Sequence, residues 1–143
     1  MTCEAKLRTL AAANPALQAI FGVSPFRFFD TQLPQGQAYP SAVVWRVSTL
    51  IDYRNDSGYN PYTQPRLQID IRHPDPEQAR AAAAAVIDFG KTVNLAVTGG
   101  AVTPAAKQAP FFVLNQRTSL DFQLAPPVSV ETLDIRVFNL EEA

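Results

Sequence analysis

Residues 66–78 read RLQIDIRHPDPEQ, and this stretch decides the fold. Over its first seven positions leucine and isoleucine alternate with charged or polar residues, which is the pattern of a β-strand with one buried face. A helix begins directly afterwards. Asp75 is the N-cap, Pro76 occupies the first helical position, and Gln78 completes a capping box. A half-buried strand followed by an amphipathic helix predicts an α+β domain.

The alanine-rich stretch after Pro76 continues this helix to about Val93 or Val97. Gly90 in its interior disfavours the helix by about 1 kcal/mol relative to alanine. The apolar residues of the segment step by three or four and form one face, which predicts the side that packs on the sheet. These residues are Ala79, Ala82, Val86, Phe89, Val93 and Val97.

Two short helices are predicted before the sheet. The first runs from Thr2 to about Ala13, and Asn14-Pro15 caps and begins the second, which ends at Gly22. Residues 25–40 form a crossing segment that is interrupted by prolines. Its apolar anchors are Phe26, Phe28, Phe29 and Leu33.

Residues 42–48 are rich in β-branched residues and predict a further strand. Val43, Trp45 and Val47 share one face of it, and Val44, Arg46 and Ser48 share the other. Seventeen residues, 49–65, separate it from the next strand. Hairpin connections usually have about 2–5 residues, so this segment is functional, disordered, or an extension of both strands beyond the sheet.

Three further strand segments are predicted downstream, over Phe111–Leu114, residues 119–124 and residues 132–137. The element order is α-β-β-α-β-β, with room for one more strand. The predicted fold is a single α+β domain over residues 1–143, with helices packed on one face of a mixed or antiparallel sheet of four to five strands.

The other face of this sheet is predicted to be polar. Its residues are Arg46, Asp70, Arg72, Asp121, Asp134 and Arg136. One interpretation is a solvated surface with cross-strand ion pairs worth about 0.2–1 kcal/mol each. The other interpretation is a surface that binds another protein or lines a channel.

The long segment before residue 66 contains residue types that are enriched at protein–protein hot spots. The candidate contact residues are Tyr53, Arg54, Asp56, Tyr59, Tyr62 and Arg66. The alternative is a loose loop whose tyrosines pack back on their own domain.

Composition argues against several classes of function. Net charge is −1 and no basic block exists, so sequence-specific nucleic-acid binding is not expected. No apolar run approaches the roughly 18 residues of a membrane span. Cys3 is the sole cysteine and His73, a turn residue before a proline, the sole histidine. We therefore predict no catalytic residue, no metal site and no cofactor.

Several segments resemble the tail-terminator (tail-completion) proteins of long-tailed bacteriophages. They are the short N-terminal helix, residues 38–47 (AYPSAVVWRV), residues 66–72 (RLQIDIR), the helix start at residues 75–79 (DPEQA) and residues 130–137 (VETLDIRV). The resemblance covers nearly the whole chain and rests on the order of elements and on an aromatic-proline-apolar start of a strand. The alanine run and the proline-rich residues 104–127 do not match that pattern.

The resemblance implies a non-enzymatic virion protein at the junction of tail and neck, assembled in the host cytoplasm. Such proteins form six-membered rings that end the tail tube, so the implied partners are other copies of the chain, the tail tube protein and the head–tail connector or head-completion protein. No membrane partner is implied, and nucleic acid enters only as a genome passing through the lumen of the ring. The alternatives are another neck component, such as a head-completion or adaptor protein, and a small-molecule-binding module or enzyme.

Overall fold

The computed structural model describes residues 3–34, 36, 38–54, 58–93, 111–123, 127–137 and 139–140. Helices and strands alternate in an α+β arrangement. In chain order they are α1 (Cys3–Ala12), α2 (Pro15–Phe21), β1 (Phe28–Asp30), β2 (Ser41–Arg54), β3 (Gly58–His73), α3 (Pro76–Thr92), β4 (Phe111–Asp121), β5 (Val128–Val137) and β6 (Asn139–Leu140).

The strands form one mixed sheet in the order β1-β2-β3-β5-β4, and β6 pairs with the outer part of β3. The pair β1–β2 is parallel, and all the other pairs are antiparallel. The predicted α+β class and mixed sheet are confirmed. Three details differ: β1 lies within the predicted crossing segment, one continuous β4 replaces the two segments predicted between residues 111 and 124, and β6 adds a sixth strand to the predicted four to five.

The second N-terminal helix begins and ends as its sequence predicts, whereas Thr2, the predicted cap of α1, lies outside the described residues. The side chain of Asn14 accepts hydrogen bonds from the backbone N–H groups of Ala16 and Leu17, and Pro15 starts α2. Gly22 ends that helix with φ 86°, a conformation that glycine adopts without steric cost. The side chain of Arg27 then donates to the carbonyl oxygens of Ile20 and Pro40, which ties the helix end to the start of β2.

Helix α3 begins after its predicted cap, but the predicted capping box with Gln78 is not present, because the N–H of Asp75 donates to Nδ1 of His73 instead. The carboxylate of Asp75 accepts a hydrogen bond from the N–H of Glu77 at 3.0 Å, and the helix continues to Thr92. The predicted apolar face is buried through Val93, whereas Val97 lies outside the described residues.

The helices and the sheet enclose one hydrophobic core. Strand residues that face the helices are Ala42, Val44, Leu67, Ile69, Ile71, Leu133, Ile135 and Val137. Three phenylalanines, Phe21, Phe26 and Phe28, pack together near α2 with ring centroids about 6 Å apart. We call this side of the sheet the helix face and the opposite side the open face.

The prediction that Arg46 belongs to the polar face is wrong. Arg46 is the register partner of Leu67, so its side chain leaves β2 on the helix face. There its guanidinium group binds both carboxylate oxygens of Glu4 in α1, at 3.1 and 3.2 Å. Ala42 and Val44 are the residues of β2 that enter the core, and Val43 is buried on the open face.

Candidate functional site

The open face carries a polar network on β3, β5 and β4. The carboxylate of Asp134 lies 3.7 Å from the guanidinium groups of both Arg66 and Arg117. Asp134 is buried, while both arginines are exposed, so the long arginine side chains cover the carboxylate. Arg117 is not among the residues predicted for the polar face, because the predicted strand ends at Leu114.

A second part of the network lies beside it. The hydroxyl of Thr132 donates to the carboxylate of Asp70 at 2.9 Å, and the amide of Gln68 donates to the same oxygen at 3.3 Å. Asp70 and Thr132 are buried, although the helices lie on the other side of the sheet. In the described part of the chain, no helix or strand forms a second layer over these two residues.

A third contact connects β3 to the edge strand. Arg72 donates to the carboxylate of Asp121 at 2.9 Å. This hydrogen bond, followed by one from the backbone N–H of Gln123, lowers the pKa of Asp121 below its ordinary value of 3.8. Arg136 is exposed on the same face, beside Arg66, which is its register partner on β3. Five of the six predicted polar-face residues thus lie on one surface.

The segment before residue 66 is an extension of two strands, which was one of the three predicted alternatives. The pairing of β2 with β3 continues outward to Arg54 and Gly58, and Tyr53 is the register partner of Tyr59. Tyr62 pairs with Leu140 of β6. Asp56 lies outside the described residues, and its predicted role as a contact residue stays a prediction.

Strand β4 is the feature that the sequence did not predict as a surface. It forms the end of the sheet, and its residues from 112 to 120 are all exposed. Four of these exposed residues have large apolar side chains: Phe112, Val113, Leu114 and Leu120. Phe122, which directly follows the strand, is a fifth exposed apolar residue. The alternation of Leu120 and Phe122 resembles a half-buried strand, but these side chains are 48% and 75% exposed.

Glu131 is a buried charged residue that the sequence pattern did not single out. Its carboxylate is fully buried on the helix face and accepts hydrogen bonds from Thr118 at 2.7 Å and Gln116 at 3.3 Å. Arg80 of α3 lies 3.7 Å away. These contacts attach the edge strand to β5 and to the helix layer.

The residues that were weighed for chemistry have structural roles. His73 accepts a hydrogen bond at Nδ1 from the N–H of Asp75 at 2.9 Å, as expected of a turn residue. Cys3 is buried in α1. Among the described residues, no three potential ligands lie close enough to hold a metal ion, and no helix has the length and hydropathy to cross a membrane.

Comparison with known proteins gives a family match and a similar structure. The family model described as "Tail completion protein gp17" matches residues 5–117. A chain from the structure described as "Virion of native gene transfer agent (GTA) particle" has a similar fold, with a TM-score of 0.60 and 17% sequence identity, over 94% of this chain and 92% of that one. No curated protein matches the sequence at a significant level.

The family match covers most of the chain and includes the two N-terminal helices, the β2–β3 hairpin and α3. The family is a class of structural virion proteins and not a class of enzymes. The chain belongs to the tail completion protein gp17 family and is a structural protein of the phage tail, located in the virion.

Proposed function

We propose that six copies of this chain form a ring at the end of the tail tube. The ring stops polymerisation of the tube and offers its outer surface to the head connector or head-completion protein. The ring acts through its shape and its binding surfaces, and it catalyses no chemical step. The genome passes through the lumen of the ring.

The β2–β3 hairpin is the observation that supports this proposal most directly. Its strands stay paired as far as Arg54 and Gly58, whereas β5 pairs with β3 only from Arg66 onward and β6 pairs with it only at Tyr62 and Thr63. A narrow ribbon of this kind has little core of its own and gains stability by packing against another surface. We therefore propose that the contact residues meet a neighbouring subunit or the tail tube. They are Tyr53, Arg54, Asp56, Tyr59, Tyr62 and Arg66.

Electron microscopy of phage particles made without this protein tests the function. If the protein is a tail terminator, tail tubes formed without it should have excess and variable length, because nothing ends their growth. Full heads beside free tails of normal length would instead identify a head-completion or adaptor protein. Normal, infectious particles would contradict both.

Substitution in the hairpin tests the proposed contact. We expect Tyr53→Ala combined with Tyr59→Ala to lower the number of properly terminated tails at least tenfold, because aromatic side chains dominate the energy of many interfaces. Tyr39→Ala is a matched control, since Tyr39 is a 38% exposed tyrosine outside the hairpin. Circular dichroism of the purified variants shows whether the fold is retained. Equal effects of both changes would contradict a specific role for the hairpin.

A further inference from the structure

Strand β4 has one edge without a neighbour. β5 pairs with it on one side, and no strand lies on its other side among the described residues. The strand has 11 residues and carries a bulge near Leu114. Long apolar edges invite pairing with another chain, and proteins generally shorten, charge or cover them. Among the described residues, the devices of this kind in β4 are one bulge and the charged residues Arg117 and Asp121.

The exposed apolar side chains of β4 lie on both faces of the sheet. Phe112 is the register partner of Arg136 and lies on the open face. Val113 and Leu120 are partners of Ile135 and Ser129 and lie on the helix face. A partner that rests on one face would cover only one of these sets. A strand added along the edge continues both faces at once and brings its own side chains beside both sets.

The same sheet has a second free edge at its other end. β1 pairs with β2 only at Ala42–Val44. Beyond these residues, the stretch Trp45–Arg54 has β3 on one side and no strand on the other among the described residues. Val47 in this stretch is 49% exposed. The two free edges are similar in length and lie at opposite ends of the strand order.

We infer that β4 of one copy adds to the free edge of β2 in the next copy, so that the sheet continues from subunit to subunit. The inference rests on the proposed ring and names the surfaces that close it. A cyclic assembly needs two different patches, one on each flank of every subunit. The described residues provide two such edges, and a second copy is therefore the partner that uses both.

The exposed area agrees with an interface of this kind. Phe112 and Phe122 are 52% and 75% exposed, and they alone present on the order of 250 Å² of largely apolar surface. A specific interface needs about 800 Å² on each partner. Val113, Leu114, Leu120 and the polar edge of the backbone contribute to the remainder.

Cysteine cross-linking in assembled particles tests the inference. Ser119 of β4 and Ser48 of β2 are both exposed on the open face, as register partners of Val130 and Arg66. Particles would be assembled with a Cys3→Ala chain that carries Ser119→Cys and Ser48→Cys, and then treated with a short bismaleimide. We expect a ladder of covalent multimers on a denaturing gel. Ala84→Cys on exposed α3, combined with Ser48→Cys, is the control and should give no ladder.

The outcomes separate the inference from the ring itself. Six copies per tail by quantitative mass spectrometry without a ladder would overturn the strand pairing and leave the ring intact. Dimers formed by Ser119→Cys alone would also overturn it, since they require two β4 strands to meet. A single copy per tail would refute the ring, and with it the inference.

Charge substitutions give a second test that does not depend on cross-linking. Leu120→Arg and Phe122→Arg change exposed side chains, so each should leave the free energy of unfolding within about 0.5 kcal/mol of the parent chain. We expect each to lower the fraction of terminated tails at least tenfold. Val23→Arg is the control, because Val23 is 72% exposed and lies outside β4. A similar loss with Val23→Arg, or no loss with Leu120→Arg and Phe122→Arg, would contradict the assignment.

Discussion

Gly90 of α3 lies so close to Phe111 of β4 that a Cβ atom on the glycine would overlap the phenylalanine ring. The same ring meets Phe89 edge-on, with centroids 6.2 Å apart. Phe111 is the one fully buried residue of its strand. The helix and the edge strand are therefore held together at this point, and the glycine that weakens the helix permits the contact.

Gly90→Ala should destabilise the protein, although alanine is the better helix former by about 1 kcal/mol. Overpacking of a core usually costs about 1–3 kcal/mol, and the ring of Phe111 has to move. Urea denaturation followed by circular dichroism measures the free energy of unfolding. Phe111→Leu in the same background should recover part of the loss. A variant as stable as the parent chain would show that the contact adapts without cost.

Local patterns predict α2, α3 and the alternation of β3 because the deciding interactions lie within a few residues. Asn14 and Asp75 cap helices that follow them directly, and the apolar face of α3 repeats with the helical period. The alternation in β3 has the right period and the right face, since Leu67 and Ile69 are buried on the helix face.

The orientation of β2 could not be predicted in the same way. Val43 and Val44 are both apolar, so alternation does not say which of them faces the helices. On the helix face Arg46 binds Glu4, 42 residues earlier in the chain, and local alternation does not reveal such a distant partner. The exposure of β4 is also non-local, since it follows from the position of the strand at the end of the sheet.

Arg46→Ala should lower the free energy of unfolding by about 1–3 kcal/mol, because it removes the guanidinium group that binds both oxygens of the buried carboxylate of Glu4. The partial exposure of Arg46 keeps the expected cost below that of a fully buried pair. The stability of Arg46→Lys should lie between that of the parent chain and that of Arg46→Ala, since an ammonium group cannot form the same pair of parallel hydrogen bonds. Arg136→Ala on the exposed open face is the control for chemical denaturation. Equal losses at both positions would rule out a special contribution of the pair.

Thr118→Val should lower the free energy of unfolding by about 1–3 kcal/mol. It keeps the shape of the side chain and removes the 2.7 Å hydrogen bond to the buried carboxylate of Glu131. Ser119→Ala changes the next residue, which is exposed on the open face, and should have little effect. Hydrogen exchange of β4 amides would detect the loosened strand directly. Unchanged exchange in Thr118→Val would mean that Gln116 and Arg80 satisfy the carboxylate without it.

The Arg72–Asp121 contact predicts an acid-dependent contribution to stability. The hydrogen bond from Arg72 lowers the pKa of Asp121 in the folded state, whereas in the unfolded chain the carboxyl group returns to its ordinary value of 3.8. The folded state therefore binds this proton less readily. The contact therefore contributes to the free energy of unfolding at pH values above the pKa of the unfolded chain. This contribution is lost as the pH falls through the lowered pKa of Asp121 in the folded state.

Asp121→Asn should accordingly differ most from the parent chain near neutral pH, and the difference should shrink below about pH 4. Urea denaturation at about pH 7, pH 5 and pH 3 measures it, and added salt should reduce it at neutral pH, because both side chains are partly exposed. In an Arg72→Gln background the same substitution should show little of this pH dependence, since the main cause of the lowered pKa is gone. A difference that persists unchanged in that background would assign the effect to the N–H of Gln123, the second donor to this carboxylate.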